Sequence, residues 1–136
     1  MPPRLLPALV LCGALLAVPG CGGGDDDEGD AEQTVRDFVT ATNERDSERF
    51  CGELVTQEFL EQSTGAKGDE AEDACRKQLD AITGLEVKLV RIQRTVIDGD
   101  RARVTAILKT QGATGPQLLR LKEEDGDWRL AGGTGR

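Results

Sequence analysis

The spacing of apolar residues changes once along this 136-residue chain, and that change narrows the folds available to it. As far as Ile82, apolar residues recur at the spacing of one helix face. From Leu85 onward they alternate with polar residues, as in strands buried on one face. A twisted antiparallel sheet buries that face against helices packed across it. We therefore predict an α+β fold, with three N-terminal helices packed on a curved, mostly antiparallel four-stranded sheet.

The helical half contains three amphipathic segments separated by polar breaks. In the first, Val35, Phe38 and Val39 share one face at helical spacing. Ser47 is a suitable N-cap for the second segment, and the composition of residues 63–68 indicates a loop before the third. The predicted helices span residues 31–44, 47–60 and 69–82.

The strand half reads as a meander of four strands joined by tight turns. The predicted strands span residues 85–97, 101–109, 117–122 and 128–131, and the predicted turns lie at 98–100, 112–116 and 125–126. Within the first strand the alternation slips by one position after Leu89, which is what a β-bulge produces. We therefore predict that Val87 and Val90 both face the core.

The N-terminus has the pattern of a secretory signal. Arg4 supplies one positive charge, and the apolar run that follows is about fourteen residues long, too short to span a bilayer comfortably. The run Val18-Pro19-Gly20-Cys21 resembles the bacterial lipobox, in which a small residue precedes the lipidated cysteine. We predict that residues 1–20 are a signal peptide and that a lipid such as palmitate on Cys21 holds the chain at the extracytoplasmic face of the cell membrane. The alternative is an ordinary secretory signal with an incidental cysteine.

The segment after Cys21 is rich in Gly and acidic residues. We predict that residues 21–30 form a solvated tether, because Gly is flexible and like charges repel. The acidic run could instead bind a cation, but it lacks the alternating ligand spacing of a calcium loop. The predicted domain then spans residues 31–132, and residues 133–136 are predicted to be a flexible tail.

The chain has four cysteines, and two of them are expected in the folded domain. Cys12 lies in the predicted signal and Cys21 is the predicted lipid site. This leaves Cys51 and Cys75, in a compartment where thiols oxidise. A disulfide between them would close a loop of about 25 residues and contribute about 3.5 kcal/mol in the chain-entropy model. The alternatives are a reactive thiol or a metal pair, although a zinc site would need further Cys or His ligands.

The charge excludes some partners. The formal net charge is −8, which becomes −9 once residues 1–20 and their Arg4 are removed. An acidic chain repels phosphate backbones and an anionic bilayer surface, so we expect no nucleic-acid partner and no close contact with the bilayer beyond the lipid anchor. The chain has no His, the commonest general base and metal ligand, and we predict no metal or cofactor.

Two turn motifs carry a resemblance to a known superfamily. They are Asp98-Gly99-Asp100 before Arg101-Ala102-Arg103-Val104, and the closing run from Glu124 to Leu130. Together with the helical first half, they resemble the nuclear-transport-factor-2-like (NTF2-like) superfamily, and in particular its bacterial lipoproteins. The resemblance implies a cone whose sheet and first helix frame a cavity, used by isomerases, dehydratases, cyclases and binding modules. The candidate cavity residues are Val35, Phe38, Val104 and Trp128.

The residues do not favour catalysis. Relatives with isomerase activity pair an acid with a Tyr or a protonated acid, and this chain has neither Tyr nor His. The candidate acids are predicted to lie on solvated faces: Asp37, Glu53, Glu58, Asp80 and Glu86. A cluster of arginines could hold an anion, although cross-strand charge pairing explains it more simply: Arg91, Arg94, Arg101 and Arg103.

We therefore predict that the chain is not an enzyme. The expected function is that of a lipid-anchored, non-catalytic binding or interaction module at the bacterial cell envelope. Its partner would be an envelope protein or a small apolar ligand. The alternative is a small cavity enzyme of isomerase or dehydratase type, which would require an acid with a raised pKa inside the cone.

Overall fold

The change of periodicity marks the boundary between two layers of the fold. The computed structural model describes residues 24–134. Its helices are α1 (Gly24–Glu44), α2 (Ser47–Arg49), a π-helical turn (Phe50–Leu54), α3 (Gln57–Thr64) and α4 (Asp69–Ala81). Its strands are β1 (Val87–Asp98), β2 (Arg101–Thr110), β3 (Ala113–Glu124) and β4 (Asp127–Thr134). The strands form one antiparallel sheet in the order β1-β2-β3-β4, so the predicted α+β architecture is confirmed.

The first helix begins earlier than predicted. Residues 24–30, expected to belong to the tether, form the first turns of α1. An acidic run is favoured at a helix N-terminus because its charge complements the helix dipole. Ala31 is fully buried and joins this end of α1 to the core. The predicted signal peptide, Cys21 and tether residues 22–23 lie outside the described residues.

The second predicted helix is interrupted. Val55 is extended and forms a parallel bridge with Leu130, and the Thr56 N–H donates to the Leu130 backbone oxygen at 2.9 Å. The Thr56 hydroxyl then accepts a hydrogen bond from the Phe59 N–H at 3.1 Å and caps α3. Residues 47–60 therefore form α2, the π-helical turn and the start of α3, because two residues of the segment extend along the edge of β4.

The bulge in β1 is present, but the prediction for Val90 is wrong. The pairing of β1 with β2 shifts between Leu89 and Arg91, and again between Ile92 and Arg94. Val90 is the extra residue of the first bulge and is 50% exposed, whereas Val87 is 9% exposed. The bulge residue is left out of the pairing, so it is Ile92 that next packs against the core.

Two strands extend beyond their predicted ends. β3 includes Pro116, which pairs with Ile107, although proline was expected to belong to the turn. Proline is tolerated there because β4 pairs only with residues 118–124 of β3, so Pro116 has one neighbouring strand. At the other end, Gly133 and Thr134 belong to β4, although they were predicted to lie in the tail.

The core lies between the helices and one face of the sheet. On β2, Ala102, Val104, Ala106 and Leu108 are buried and alternate with exposed or half-buried residues. The predicted disulfide is confirmed, since Cys51 of the π-helical turn and Cys75 of α4 are bonded with Cα atoms 6.0 Å apart. Within residues 24–134, no helix is both long and apolar enough to span a bilayer.

Candidate functional site

The predicted cavity residues lie in a packed core. Val35 is 1% exposed, Val104 is fully buried and Trp128 is 5% exposed. Phe38 is half-buried at the edge of the same cluster, where its ring centroid lies 5.2 Å from that of Phe50. The structure thus brings these four residues to one side of the sheet, where aliphatic and aromatic side chains occupy the interior of the cone.

A groove of about 560 Å³, which we call the acidic groove, lies beside Trp128. It lies between α1, the π-helical turn and the turn that joins β3 to β4. The carboxylates along it are Asp30, Asp37, Glu53 and Asp127. Two of the candidate acids from the sequence, Asp37 and Glu53, are therefore brought together here.

Several polar groups of the acidic groove are paired within the chain. Asp37 forms an ion pair with Arg49 at 3.1 Å and accepts a hydrogen bond from the Gln33 side chain at 3.0 Å. The Thr34 hydroxyl donates to the backbone oxygen of Trp128 at 3.1 Å. Arg129 donates through Nη1 to the Gly52 backbone oxygen at 3.1 Å, while its buried Nε has no partner among the described residues. The Thr34 and Arg129 hydrogen bonds join the helical layer to β4, whereas the Asp37 contacts lie within the helical layer.

A second groove, which we call the basic groove, lies between α3 and the outer face of the sheet. It has a volume of about 670 Å³. Its cations come from adjacent strands in register: Arg101 pairs with Lys122, and Arg103 pairs with Arg120. Directly paired residues share a sheet face, so these four cations lie side by side.

The cations of the basic groove do not have the cross-strand charge pairing expected from the sequence. On β3 the partners of Arg101 and Arg103 are themselves basic. Asp98 lies opposite Arg101 on β1, but the two do not form an ion pair. Within residues 24–134, none of the four cations forms an ion pair or a side-chain hydrogen bond. Like charges directly opposite one another are destabilising, so this arrangement favours an anion from outside the chain.

The remaining walls of the basic groove are mixed. Phe59 of α3 and Val96 of β1 are half-buried and supply apolar surface. The part of the wall that Gly132 and Gly133 of β4 form has no side chains. Glu58 and Asp98 also line the groove and bring negative charge to it. The groove can therefore accommodate an anionic group and an apolar segment at the same time.

The sequence indicated only part of the basic groove. Arg101 and Arg103 were candidates for an anion site, and the structure adds Arg120, Lys122 and the two glycines. The sequence shows that apolar and basic residues alternate over residues 119–122. It does not show the register that pairs these residues with β2. That register depends on the two-residue turn at Gln111 and Gly112, both of which have positive φ. The other two arginines of the predicted cluster, Arg91 and Arg94, lie nearer the start of β1, outside the groove.

The Glu61 carboxylate accepts hydrogen bonds that lower its pKa. The backbone N–H of Gly68, at 3.1 Å from Glu61 Oε1, is the main cause that lowers the pKa of Glu61, with smaller contributions from Gln57 and Lys67. The candidate acids Asp80 and Glu86 are exposed. Among residues 24–134, no three His, Cys, Asp or Glu side chains are grouped so as to hold a metal ion.

Two solved structures share this architecture. An uncharacterised protein with a cystatin-like fold from Caulobacter vibrioides matches with 21% identity and a TM-score of 0.56, over 79% of this chain and 87% of that protein. An NTF-2 like protein of unknown function from Silicibacter pomeroyi matches with 16% identity and a TM-score of 0.52, over 79% of this chain and 92% of that protein. No protein-family model and no curated relative matches the sequence. Identities at this level establish the fold alone, and the described residues share the cystatin-like, or NTF2-like, fold of these two proteins.

Proposed function

We propose that this chain is a lipid-anchored, non-catalytic binding module at the bacterial cell envelope. The observation that supports a non-catalytic role is the filling of the cone interior. Val35, Val55, Val104 and Leu121 are each at most 2% exposed and belong to one cluster. A proton-transfer site of the kind that this fold can house needs an acid in an apolar cavity. Here the volume between helix and sheet is filled by aliphatic side chains, and the two grooves lie outside it.

The buried polar side chains also fit a structural interior. Thr42 and Thr56 are the buried polar residues of the described core. The Thr42 hydroxyl donates to the Phe38 backbone oxygen at 2.7 Å, and the Thr56 hydroxyl caps α3. Both hydroxyls are therefore engaged with the backbone, and this supports binding at the surface grooves rather than chemistry inside the cone.

The proposed anchor is Cys21. It stands three positions before Gly24, the first residue of α1, so the extended chain between them spans at most about 10 Å. A lipid on Cys21 would therefore hold the domain at the bilayer surface. Two or more acyl chains give stable retention, where a single chain is marginal.

Membrane fractionation tests the anchor. The full chain is produced in a bacterial host, and Cys21→Ser is compared with the natural chain. We expect the variant to leave the membrane fraction or to accumulate unprocessed. Cys12→Ser, which changes a cysteine inside the predicted signal, is the matched control and should fractionate normally. Normal processing and full membrane retention of Cys21→Ser would exclude the lipid anchor.

Turnover assays test the non-catalytic role. The purified chain is incubated with steroid-like ketones and polyketide-like substrates, and product is followed by mass spectrometry. We expect no turnover above that of buffer. Turnover that disappears in Asp37→Asn or Glu53→Gln would instead assign catalysis to the acidic groove and support a small enzyme of isomerase or dehydratase type.

A further inference from the structure

The net charge of the chain is the sum of a strongly acidic helical layer and a sheet with a small excess of basic side chains. Residues 24–81, which form the helical layer, contain 18 acidic and 6 basic side chains. Residues 82–134, which form the sheet, contain 7 acidic and 9 basic side chains. Eight of those cations lie on the outer face of the sheet: Lys88, Arg91, Arg94, Arg101, Arg103, Lys109, Arg120 and Lys122. The repulsion of anions expected from a net charge of −8 therefore does not apply to this face.

Arg103 and Arg120 form a row of two cations across the basic groove. Their Cβ atoms are directly opposite on neighbouring strands, which places them about 5 Å apart. The β1 partner of Arg103 is Val96, so this row contains no acid, whereas the neighbouring row includes Asp98. Arginine forms bidentate hydrogen bonds with phosphate and carboxylate groups. An anionic group placed between the two guanidinium groups would relieve their mutual repulsion.

Apolar surface adjoins this row. Val96 is half-buried beside Arg103, and Phe59 of α3 is half-buried on the opposite wall. Gly132 pairs with Arg120, and a Cβ placed on Gly132 would lie 3.9 Å from Arg120 Nε. The absence of a side chain at Gly132 thus leaves room directly beside the guanidinium group. The volume of about 670 Å³ is within the range of small-molecule sites, about 300–1,000 Å³.

We propose that the basic groove binds one anionic lipid, with its phosphate or carboxylate between Arg103 and Arg120 and its aliphatic chain against Phe59 and Val96. The proposal rests on the function proposed above, which it deepens by naming the class of ligand. The site is on the outside of the sheet and is separate from the cone interior. The ligand could come from a bilayer as a phospholipid, or from solution as a free fatty acid or alkyl phosphate, and the chemistry recognised is the same.

The first experiment measures the ligand class with a chain that starts at Gly22. This chain keeps every described element, including the disulfide and the whole described core, and carries no lipid. Calorimetry is performed with dodecyl phosphate below its micelle concentration, with inorganic phosphate, and with dodecyl maltoside. We expect dodecyl phosphate to bind at least about tenfold more tightly than either of the others, because it alone supplies both the charge and the chain.

Each other outcome overturns the proposal. Equal binding of inorganic phosphate would show a simple anion site, and equal binding of dodecyl maltoside would show an apolar site without charge recognition. Binding only to phosphatidylglycerol vesicles, with none to soluble dodecyl phosphate, would show a surface that docks on a bilayer. Binding to neither would show that the groove takes no anionic lipid, while the anchor at Cys21 would still be decided by fractionation.

The second experiment locates the site. Arg103→Gln combined with Arg120→Gln should weaken dodecyl phosphate binding by at least about tenfold, since a charge-assisted hydrogen bond contributes about 1.5–3 kcal/mol and 1.4 kcal/mol is tenfold. Arg91→Gln combined with Arg94→Gln removes the same charge from the same face outside the groove, and should change affinity by less than about threefold. An equal loss in both variants would show that the general positive potential, not the groove, attracts the ligand.

A third variant tests the contribution of the free volume beside Arg120 to binding, separately from the contribution of charge. Gly132→Val places an aliphatic side chain beside Arg120 without altering any charge, and Gly132 does not have positive φ. We expect weaker binding of dodecyl phosphate, by at least about fivefold, with an unchanged circular dichroism spectrum. Gly115→Val, at an open position at the far end of β3, is the matched control and should bind normally. Unchanged affinity in Gly132→Val would overturn the placement of the ligand.

Discussion

The contacts that stabilise the helical layer differ from those that stabilise the sheet. The sheet is a meander in which β2 pairs along its full length with both β1 and β3, and β4 pairs with residues 118–124 of β3. The helical layer consists of one long helix followed by four shorter segments, and the Cys51–Cys75 disulfide joins the second of these segments to the last. Short isolated helices are marginal in water, so the short segments depend on the crosslink and on packing. We therefore expect the two layers to differ in local stability.

The two layers also differ in whether their charged side chains are paired within the chain. In the helical layer, Asp37 and Glu61 are each paired with a cation and with hydrogen-bond donors. On the outer face of the sheet, Arg101 and Arg103 face basic partners instead. The helical layer therefore uses its charges to fix its own loops and contacts, whereas the four cations of the basic groove have no ion-pair partner among residues 24–134.

Removal of the disulfide should have the largest effect. Cys51→Ala combined with Cys75→Ala should lower the free energy of unfolding by about 3.5 kcal/mol, because the unfolded chain is no longer crosslinked across 24 positions. Hydrogen exchange should then show faster exchange in α3 and α4, with β2 and β3 still protected. Reduction of the natural chain serves as the control and should give the same pattern. Equal loss of protection in both layers would mean that they unfold as a single unit.

The sequence predicted this bridge and the order of the layers for definite physical reasons. Once Cys12 and Cys21 were assigned to the N-terminal segment, one pairing remained for an oxidising compartment. The helices and strands followed from the periodicity of apolar residues, which reports burial on one face. These features depend on local pattern, and the structure agrees with them.

The sequence failed where a distant partner decides the local structure. Val55 is extended because Leu130 lies beside it, and nothing in the helical periodicity of its segment marks that contact. The sequence pattern shows that the alternation of apolar and polar residues slips by one position in β1. It does not show which residue is left out of the pairing, and for this reason the prediction for Val90 is wrong. The basic groove was likewise only half visible, because Arg120 meets Arg103 only through the register of β3 on β2.

Two valines three positions apart provide the second prediction. Val87→Ala should lower the free energy of unfolding by about 2 kcal/mol, because Val87 is buried in the core where β1 meets α1. Val90→Ala is the matched control at the bulge, where the side chain is 50% exposed, and should cost less than about 0.5 kcal/mol. Chemical denaturation of the two variants measures the difference. Equal costs would show that Val90 is buried in solution and that the bulge lies elsewhere in β1.

The third prediction concerns the join between the layers. The Asn43 side chain donates to the Val87 backbone oxygen at 2.6 Å, and its Oδ1 accepts from the Val87 N–H at 2.8 Å. Asn43 thus pairs with the outer edge of β1 as a neighbouring strand would. Asn43→Ala should cost about 1–2 kcal/mol, because both Val87 backbone groups lose their partner. Asn43→Asp keeps the acceptor and should cost less. Identical costs for the two variants would show that the Val87 N–H is satisfied without Asn43.

The smallest effect is expected from the loss of charge on Glu61, whose carboxylate holds the loop between α3 and α4. The Gly68 N–H donates to Glu61 Oε1 at 3.1 Å and is the main cause that lowers the pKa of Glu61 below its ordinary value of 4.5. Gln57 donates to the same oxygen at 3.2 Å, and Lys67 Nζ lies 3.3 Å from the other carboxylate oxygen. Because the pKa is lowered in the folded chain, the ionised carboxylate stabilises the fold above pH 4.5. That stabilisation is lost as the pH falls through the lowered pKa.

NMR titration between neutral pH and pH 2 follows this loss directly. The Gly68 amide resonance should shift with a midpoint below 4.5, as its acceptor becomes protonated. In Glu61→Gln that titration should vanish, and the loop between α3 and α4 should exchange amide hydrogens faster at neutral pH, while β2 and β3 are unaffected. Glu58→Gln, one turn earlier on α3, leaves the contacts to Gly68 in place and should retain the titration. A Gly68 midpoint at or above 4.5, or a titration that persists in Glu61→Gln, would show that the loop is held by other groups and that this part of the contrast between the layers is wrong.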